Sequence, residues 1–317
     1  MQLSKDKVTE ILGLIKTLKD YKQIAKYLGI KETTAERYVR YVKNNTETEF
    51  NPVTLPKILL LDIETLPCLA YIWGIYKQQP TFEQIVKDWC IVTWSAKWLY
   101  DNVVYSDALT VKEANDRNDK RILKSLWELL EECNVAIGHN INRFDIRKIN
   151  ARLIINGIKP PMPYQIIDTL KHSQKIGAFT SHKLNNLLKM LNKETKIETN
   201  YELWKRAAGT YPDKEDQQKA ITEMLKYNEN DVIILEDLYL ALRPWMKSHP
   251  NVGLFSEVTV NLCPACGSDD LFWKGSYTTM AGRYKTFRCN SCGGIGRSRV
   301  SELSKNKRKS LTISAAR

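Results

Sequence analysis

The sequence lacks any uninterrupted apolar run approaching the roughly 18 residues that a membrane span requires. Behind Met1-Gln2-Leu3-Ser4-Lys5-Asp6 it also lacks the apolar core of a secretory leader. No membrane association is expected, and the expected location is the cytoplasm. An even set of cysteines is missing too, because there are seven. Four fall in spaced pairs at Cys263, Cys266, Cys289 and Cys292, while Cys68, Cys90 and Cys133 are scattered. An odd total without a leader argues against a disulfide framework and for metal ligation beside reduced core thiols. No internal repeat is found.

What is present is 317 residues with 43% hydrophobic content, enough for one medium domain with small accessories. The formal charge is +12, and most of the excess sits at one end. From Cys263 to Arg317 there are eleven Lys and Arg against three Asp and Glu. A basic excess gathered in one module points to a polyanionic partner, most commonly nucleic acid.

Residues 1–45 show helical periodicity, with Val8, Ile11, Leu12, Ile15 and Leu18 on one face and Ile24, Ala25 and Leu28 starting another. A turn at Gly29-Ile30 and a following segment with Lys31, Thr33, Thr34, Arg37 and Arg40 resemble a helix-turn-helix of DNA-binding proteins. A generic three-helix packing module is the alternative. Residues 46–56, polar and with two prolines, read as a linker.

From 57 to 248 the pattern alternates. Strands are expected at Lys57–Thr65, Cys90–Ala96, Val103–Ser106 and Val135–Gly138. Helices are expected around Ile122–Leu130, at 144–155 and 183–191, and as two separate pieces at 214–226 and 229–242. Strands in succession, then strands alternating with helices, predict an α/β domain whose mixed sheet is flanked by helices, the layout of a ribonuclease H-like domain.

The first strand ends in Asp62-Ile63-Glu64. Residues two apart on a strand point to one side, so these carboxylates project together; they either stand as solvated acids at a strand end or, repelling each other, call for a cation. A second acid group, Gly138-His139-Asn140-Ile141-Asn142-Arg143-Phe144-Asp145, follows a predicted strand and opens a helix. In a third, Tyr227-Asn228-Glu229-Asn230-Asp231, Tyr227 and Asp231 share a helical face.

The order Asp-x-Glu, Asn-x-x-x-Phe-Asp, Tyr-x-x-x-Asp resembles that of the DEDD exonucleases of the tyrosine subclass. The stretch Ile137–Asp145 resembles the second motif of the proofreading domains of family B DNA polymerases, and the chain as a whole is similar to phage and bacterial ribonuclease H-like proteins. The resemblance covers about residues 57–245. It implies a bacterial or phage-infected cell and two Mg²⁺ or Mn²⁺ ions, with oxygen ligands suited to such hard cations. It further implies that Asp62, Glu64 and Asp231 hold one ion, that Asp62 bridges to the second, and that Asp145 supports that side. Tyr227 is expected to orient water rather than act as a base, since a phenol titrates near 10. Asn140 is expected near the substrate strand. Asp168 is read as either a supporting acid or a helix cap, with the cap the commoner explanation.

Cys263-Pro264-Ala265-Cys266-Gly267 and Cys289-Asn290-Ser291-Cys292-Gly293 are Cys-x-x-Cys knuckles separated by 22 residues. Each can give two thiolates to one structural Zn²⁺, so residues 260–299 are expected to form a zinc ribbon and 300–317 a solvated basic tail. Between the knuckles, Arg283, Lys285 and Arg288 alternate with aromatics, a composition suited to stacking and phosphate contact; the alternative is that the aromatics merely pack the ribbon.

The function these readings imply is a two-metal nuclease, specifically a 3′–5′ exonuclease with DNA favoured over RNA and with replication or recombination proteins as possible partners. A structure-specific endonuclease of the same fold and a non-catalytic DNA-binding regulator are the alternatives.

Overall fold

The computed structural model describes Ala25, Thr34, Ala35, residues 56–197 and residues 199–315. Apart from those three residues, the helix-turn-helix expected over 1–45 therefore lies outside the described residues, as does the expected linker before Pro56. Pro56–Pro250 forms one compact unit, and Asn251 onward belongs to a second.

In the first unit the apolar run becomes strand β1 (Ile58–Leu66), in which Leu59, Leu60 and Leu61 are fully buried. Burial on both faces follows from its position in the middle of a sheet. A short hairpin of β2 (Leu69–Ala70) and β3 (Ile85–Lys87) leads to β4 (Cys90–Trp98) and β5 (Val104–Ala108). Strands β6 (Val135–Gly138) and β7 (Gln165–Asp168) complete a five-stranded sheet of order β5-β4-β1-β6-β7. β4 is antiparallel to both β1 and β5, whereas β6 is parallel to β1 and to β7. The sheet is thus mixed, as expected.

The helices are α1 (Val111–Asp116), α2 (Lys120–Glu132), α3 (Asp145–Ile155), α4 (Thr169–Ile176), α5 (Leu184–Met190), α6 (Tyr201–Ala207) and α7 (Lys214–Leu242). Strand β4 shows how they cover the two faces. Trp94 donates its indole N–H to the Ile122 carbonyl of α2 at 2.7 Å. Its neighbours in the pleat point the other way: Thr93 bonds Asn228 at 3.4 Å and Lys97 pairs with Glu236, both on α7. Polar Thr93, Ser95 and Lys97 are buried because α7 lies over them.

On the α2 side, Ile122, Leu123, Leu126 and Leu130 pack with Ile146, Ile149 and Leu153 of α3. A buried ion pair closes this layer, with Arg152 donating to both oxygens of Asp119 at 2.7 and 2.8 Å. Asp119 also accepts the Ile91 backbone N–H at 3.0 Å, so one carboxylate ties helix to strand.

The two helices expected at 214–226 and 229–242 are one helix of 29 residues. Asn228 and Asn230 are weak helix formers, but neither Pro nor Gly interrupts the run. Asp213 caps its start, accepting the Glu215 and Asp216 N–H groups at 2.8 and 3.1 Å. Asn228 does not compete for the backbone, because its side chain is committed to Asp62 at 2.6 Å.

The second unit holds a three-stranded sheet of β8 (Leu271–Thr279), β9 (Gly282–Cys289) and β10 (Ile295–Ser301), with β9 central. The basic tail contains a short helix, α8 (Lys305–Lys309), capped by Ser304 and exposed to solvent.

Candidate active site

Asp62 and Glu64 leave β1 on the face covered by α7, where they meet Asp231. One carboxylate oxygen from each of the three lies within 4.8 Å of the others. Oxygens opposite one another around a Mg²⁺ stand about 4.2 Å apart, given Mg–O near 2.1 Å, so the cluster has the size of a cation cage. Asp231 Oδ1 is buried and bonds to no protein group. A buried carboxylate oxygen without a protein partner, on a residue of an acidic cluster, has the chemistry of a cation ligand.

Asp145 stands outside that trio. It opens α3, is 2% exposed, and accepts the Ile63 N–H at 3.2 Å, which locks it to the strand between the first two acids. It remains an electrostatic neighbour, since Asp145 is the charge that most raises the Asp62 pKa after loss of solvent. Burial drives all four upward: Asp62 well above the carboxylate range, Glu64 to about 8, Asp145 to about 7, and Asp231 also raised. Mutual repulsion adds to burial at Asp62, from Asp145, Glu64 and Asp231 in turn. Removing positive charge would make the site worse, and adding it makes it better.

The chain supplies one positive charge itself. Lys196, in the segment between α5 and α6, pairs with Asp231 and donates to the Tyr227 hydroxyl at 3.1 Å. Burial of the Tyr227 phenol, together with the Asp231 charge, raises its pKa, so it stays protonated. The second residue outside the expected set is Asn228, whose amide donates to Asp62 Oδ2. Asn228 sits inside the third motif but on the strand-facing side of α7; the 3.6-residue period could have placed it there. Lys196 has no such signal, since it comes from an irregular segment rich in lysine.

Other residues resolve differently. Asn140 takes a left-handed backbone (φ 73°), which asparagine tolerates, and its carbonyl accepts the Arg143 and Phe144 N–H groups at 3.0 and 3.1 Å. Asp168 is a helix cap, accepting from Leu170 and Lys171 at 3.1 and 3.3 Å, and it also receives the Asn140 N–H. His139 bonds Thr169 and the His182 carbonyl, and burial pulls its pKa down to about 4, so it is a neutral structural imidazole.

In the second unit the sulfurs of Cys263, Cys266, Cys289 and Cys292 also gather within 4.8 Å. Cys263 approaches Cys292, and Cys266 approaches Cys289, at 3.6 Å each. That is far beyond an S–S bond of about 2.05 Å and near the roughly 3.8 Å edge of a ZnS₄ tetrahedron built from 2.3 Å bonds. Gly267 and Gly293 both have positive φ, 75° and 77°, and each returns its N–H to the knuckle's first cysteine carbonyl, at 2.8 and 2.9 Å. The four-cysteine cluster is compatible with a zinc ribbon. Arg283, Lys285 and Arg288 are all exposed, but alternation along β9 puts the first two on one face and Arg288 on the other.

None of the curated proteins matches the chain. Among solved structures, the chain is similar to the family B DNA polymerase from the hyperthermophilic archaeon Pyrobaculum calidifontis, at 14% identity and a TM-score of 0.40. The alignment covers 63% of this chain and only 27% of the polymerase, so the chain spans about a quarter of that protein. Residues 95–243 match the family model of the RNase_H superfamily, which supports a nuclease-type function. The matched stretch contains Asp145, Tyr227 and Asp231, while the strand carrying Asp62 and Glu64 precedes it. With a mixed sheet flanked by helices on both faces, the unit that contains residues 95–243 has an RNase H-like α/β fold.

Proposed function

We propose that this protein is a metal-dependent nuclease, a 3′–5′ exonuclease acting on DNA, with Asp62, Glu64, Asp145, Tyr227 and Asp231 as its catalytic set. The convergence of Asp62, Glu64 and Asp231, with Asp231 Oδ1 orphaned, carries the reading. A pair of Mg²⁺ or Mn²⁺ ions bound there would lower the pKa of a water and stabilise the departing alkoxide. The protein's own part is positioning. Asn228 holds Asp62 Oδ2 so that Oδ1 stays available, and the Ile63 N–H does the same for Asp145. The Tyr227 hydroxyl accepts from Lys196 and keeps its own proton, so it can orient a water by donation but cannot deprotonate one. Asn140, Arg283, Lys285 and Arg288 are assigned to contact with the nucleic acid, and the four cysteines to one structural Zn²⁺.

End-labelled and internally labelled, 3′-blocked DNA and RNA strands, incubated with Mn²⁺ or Mg²⁺, test this. Mononucleotides released in order from free 3′ ends are expected. Fragments from the blocked strand would instead indicate an endonuclease, and no cleavage of any strand would leave a binding protein.

Lys196 gives a separate expectation. Its ammonium neutralises Asp231 where a metal would, so Lys196→Met should tighten Mn²⁺ binding by roughly tenfold, about 1.4 kcal/mol. Calorimetric titration reads this directly, and weaker Mn²⁺ binding in the variant would contradict it.

A further inference from the structure

Between β1 and β4 the chain makes an excursion over residues 67–88, which leaves the sheet just past Glu64 and whose two ends are fastened to each other. It departs just past Glu64, where the Pro67 carbonyl accepts from Arg117 at 3.3 Å. It returns through Asp88, which accepts from Cys68 at 3.3 Å and from the Trp89 N–H at 2.8 Å. The Trp89 ring lies 3.8 Å below the Lys148 ammonium, and Lys148 also reaches over Phe144, the residue before Asp145. The excursion therefore begins just past the first acid motif and returns next to Trp89, which Lys148 links to Phe144 of the second.

Its tip carries the most exposed aromatic group of the described residues. Trp73 is 96% exposed and Tyr76 84%, with Tyr71, Ile75 and Phe82 likewise bare. The β2–β3 pairing and reciprocal bonds between Tyr71 and Gln84, at 3.0 and 3.1 Å, hold the base of this apron. No ring contact or overlying cation serves Tyr71, Trp73, Tyr76 or Phe82 among the described residues. So much apolar area is left in water only where something is meant to cover it. Charge narrows the choice. Residues 67–88 hold Lys77 and Lys87 against Glu83 and Asp88, a balance that grips neither phosphate nor an anionic lipid surface. Flat rings without net charge suit the faces of bases, whose phosphates the neighbouring acid cluster is proposed to engage through metal.

We propose that the aromatic apron of residues 71–82 is a stacking platform for unpaired nucleobases of the strand held at the acid cluster. The inference rests on the nuclease reading for which strand arrives, and it adds a site where bases rather than phosphates are held.

The test is anisotropy of labelled oligothymidylate, and of an abasic strand of equal length, on the full chain without added divalent ions. Trp73→Ala and Tyr76→Ala are expected to weaken oligothymidylate binding by roughly tenfold or more and to leave the abasic strand unchanged. Trp73→Phe, which keeps a ring, should retain most of the affinity. Equal losses on both strands, or no loss on either, would overturn the proposal. So would sedimentation showing that Trp73→Ala turns an oligomer into a monomer with unaltered oligothymidylate binding, because the apron would then be a protein interface. Cleavage without apron dependence sinks only this inference, whereas apron-dependent binding without any Mn²⁺-driven cleavage sinks only the nuclease reading.

Discussion

Asp62→Asn is expected to reduce metal-dependent cleavage by roughly a thousandfold or more and, in the same protein, to raise stability when no Mg²⁺ or Mn²⁺ is added. The first effect follows if Asp62 contacts both ions, since losing several kcal/mol of transition-state stabilisation costs about three powers of ten. The second follows from crowding. Asp62, Glu64, Asp145 and Asp231 repel one another in a poorly solvated space, with Lys196 set against them. A carboxylate whose folded pKa lies above its unfolded one contributes stability below the unfolded value and loses it as pH rises through the folded value. For Glu64 that window runs from 4.5 to about 8. The metal-free protein should therefore weaken as pH climbs through this range. The asparagine variant, which lacks a carboxyl whose ionisation burial and three neighbouring acids oppose, should weaken less. Thermal melts across pH, with and without Mn²⁺, measure it. A variant that cleaves at the native rate, or that melts lower than the native protein in the absence of metal, would contradict the assignment.

Cys289→Ser is expected to have the other large effect, confined to the second unit. Cys263 and Cys289 are buried, yet the apolar cluster around them consists of little more than Ala265 and Leu271. So small a core leaves the metal to supply the folding free energy, about 10–16 kcal/mol for structural zinc. The native chain should carry one zinc per molecule by elemental analysis, and the variant none. Limited proteolysis should then open residues 251–315 and spare 56–250. Nucleic-acid affinity should fall by an order of magnitude or more, as Arg283, Lys285, Arg288 and Arg297 lose their common sheet. Equal zinc content and equal protease resistance in both proteins would contradict a structural metal.

Four of the five strands were legible because they are apolar runs with clear ends, and β6 is found where its residues predicted it, at Val135–Gly138; β7, whose apolar content is the pair Ile166-Ile167, was not foreseen. The strand period paired Asp62 with Glu64 and the helix period paired Tyr227 with Asp231 without tertiary information, but that Asp231 joins the first two acids was carried only by the resemblance of the three motifs to the DEDD exonucleases. The unity of α7 was not, because a polar stretch at 227–231 reads as a break until Asn228 is seen bonded to Asp62 across 166 positions. Lys196 and the Asp119–Arg152 pair were hidden for the same reason, since a charged residue's partner is a matter of three-dimensional proximity. Asp168 could be narrowed to two roles by sequence, and the N–H groups it accepts identify a cap.

The continuity of α7 also constrains how the chain can change length. Inserting one residue into an unbroken helix turns everything beyond it by about 100°. Tyr227, Asn228, Asp231 and Glu236, all of which face partners beyond the helix, would lose their aim together. Insertions between 217 and 236 should therefore be fatal to the cluster as a whole, while the stretch at 208–213, which carries none of these groups, is where length variation can be absorbed. The helix acts as a gauge block: it sets the spacing of these four side chains once, and they cannot be adjusted one at a time.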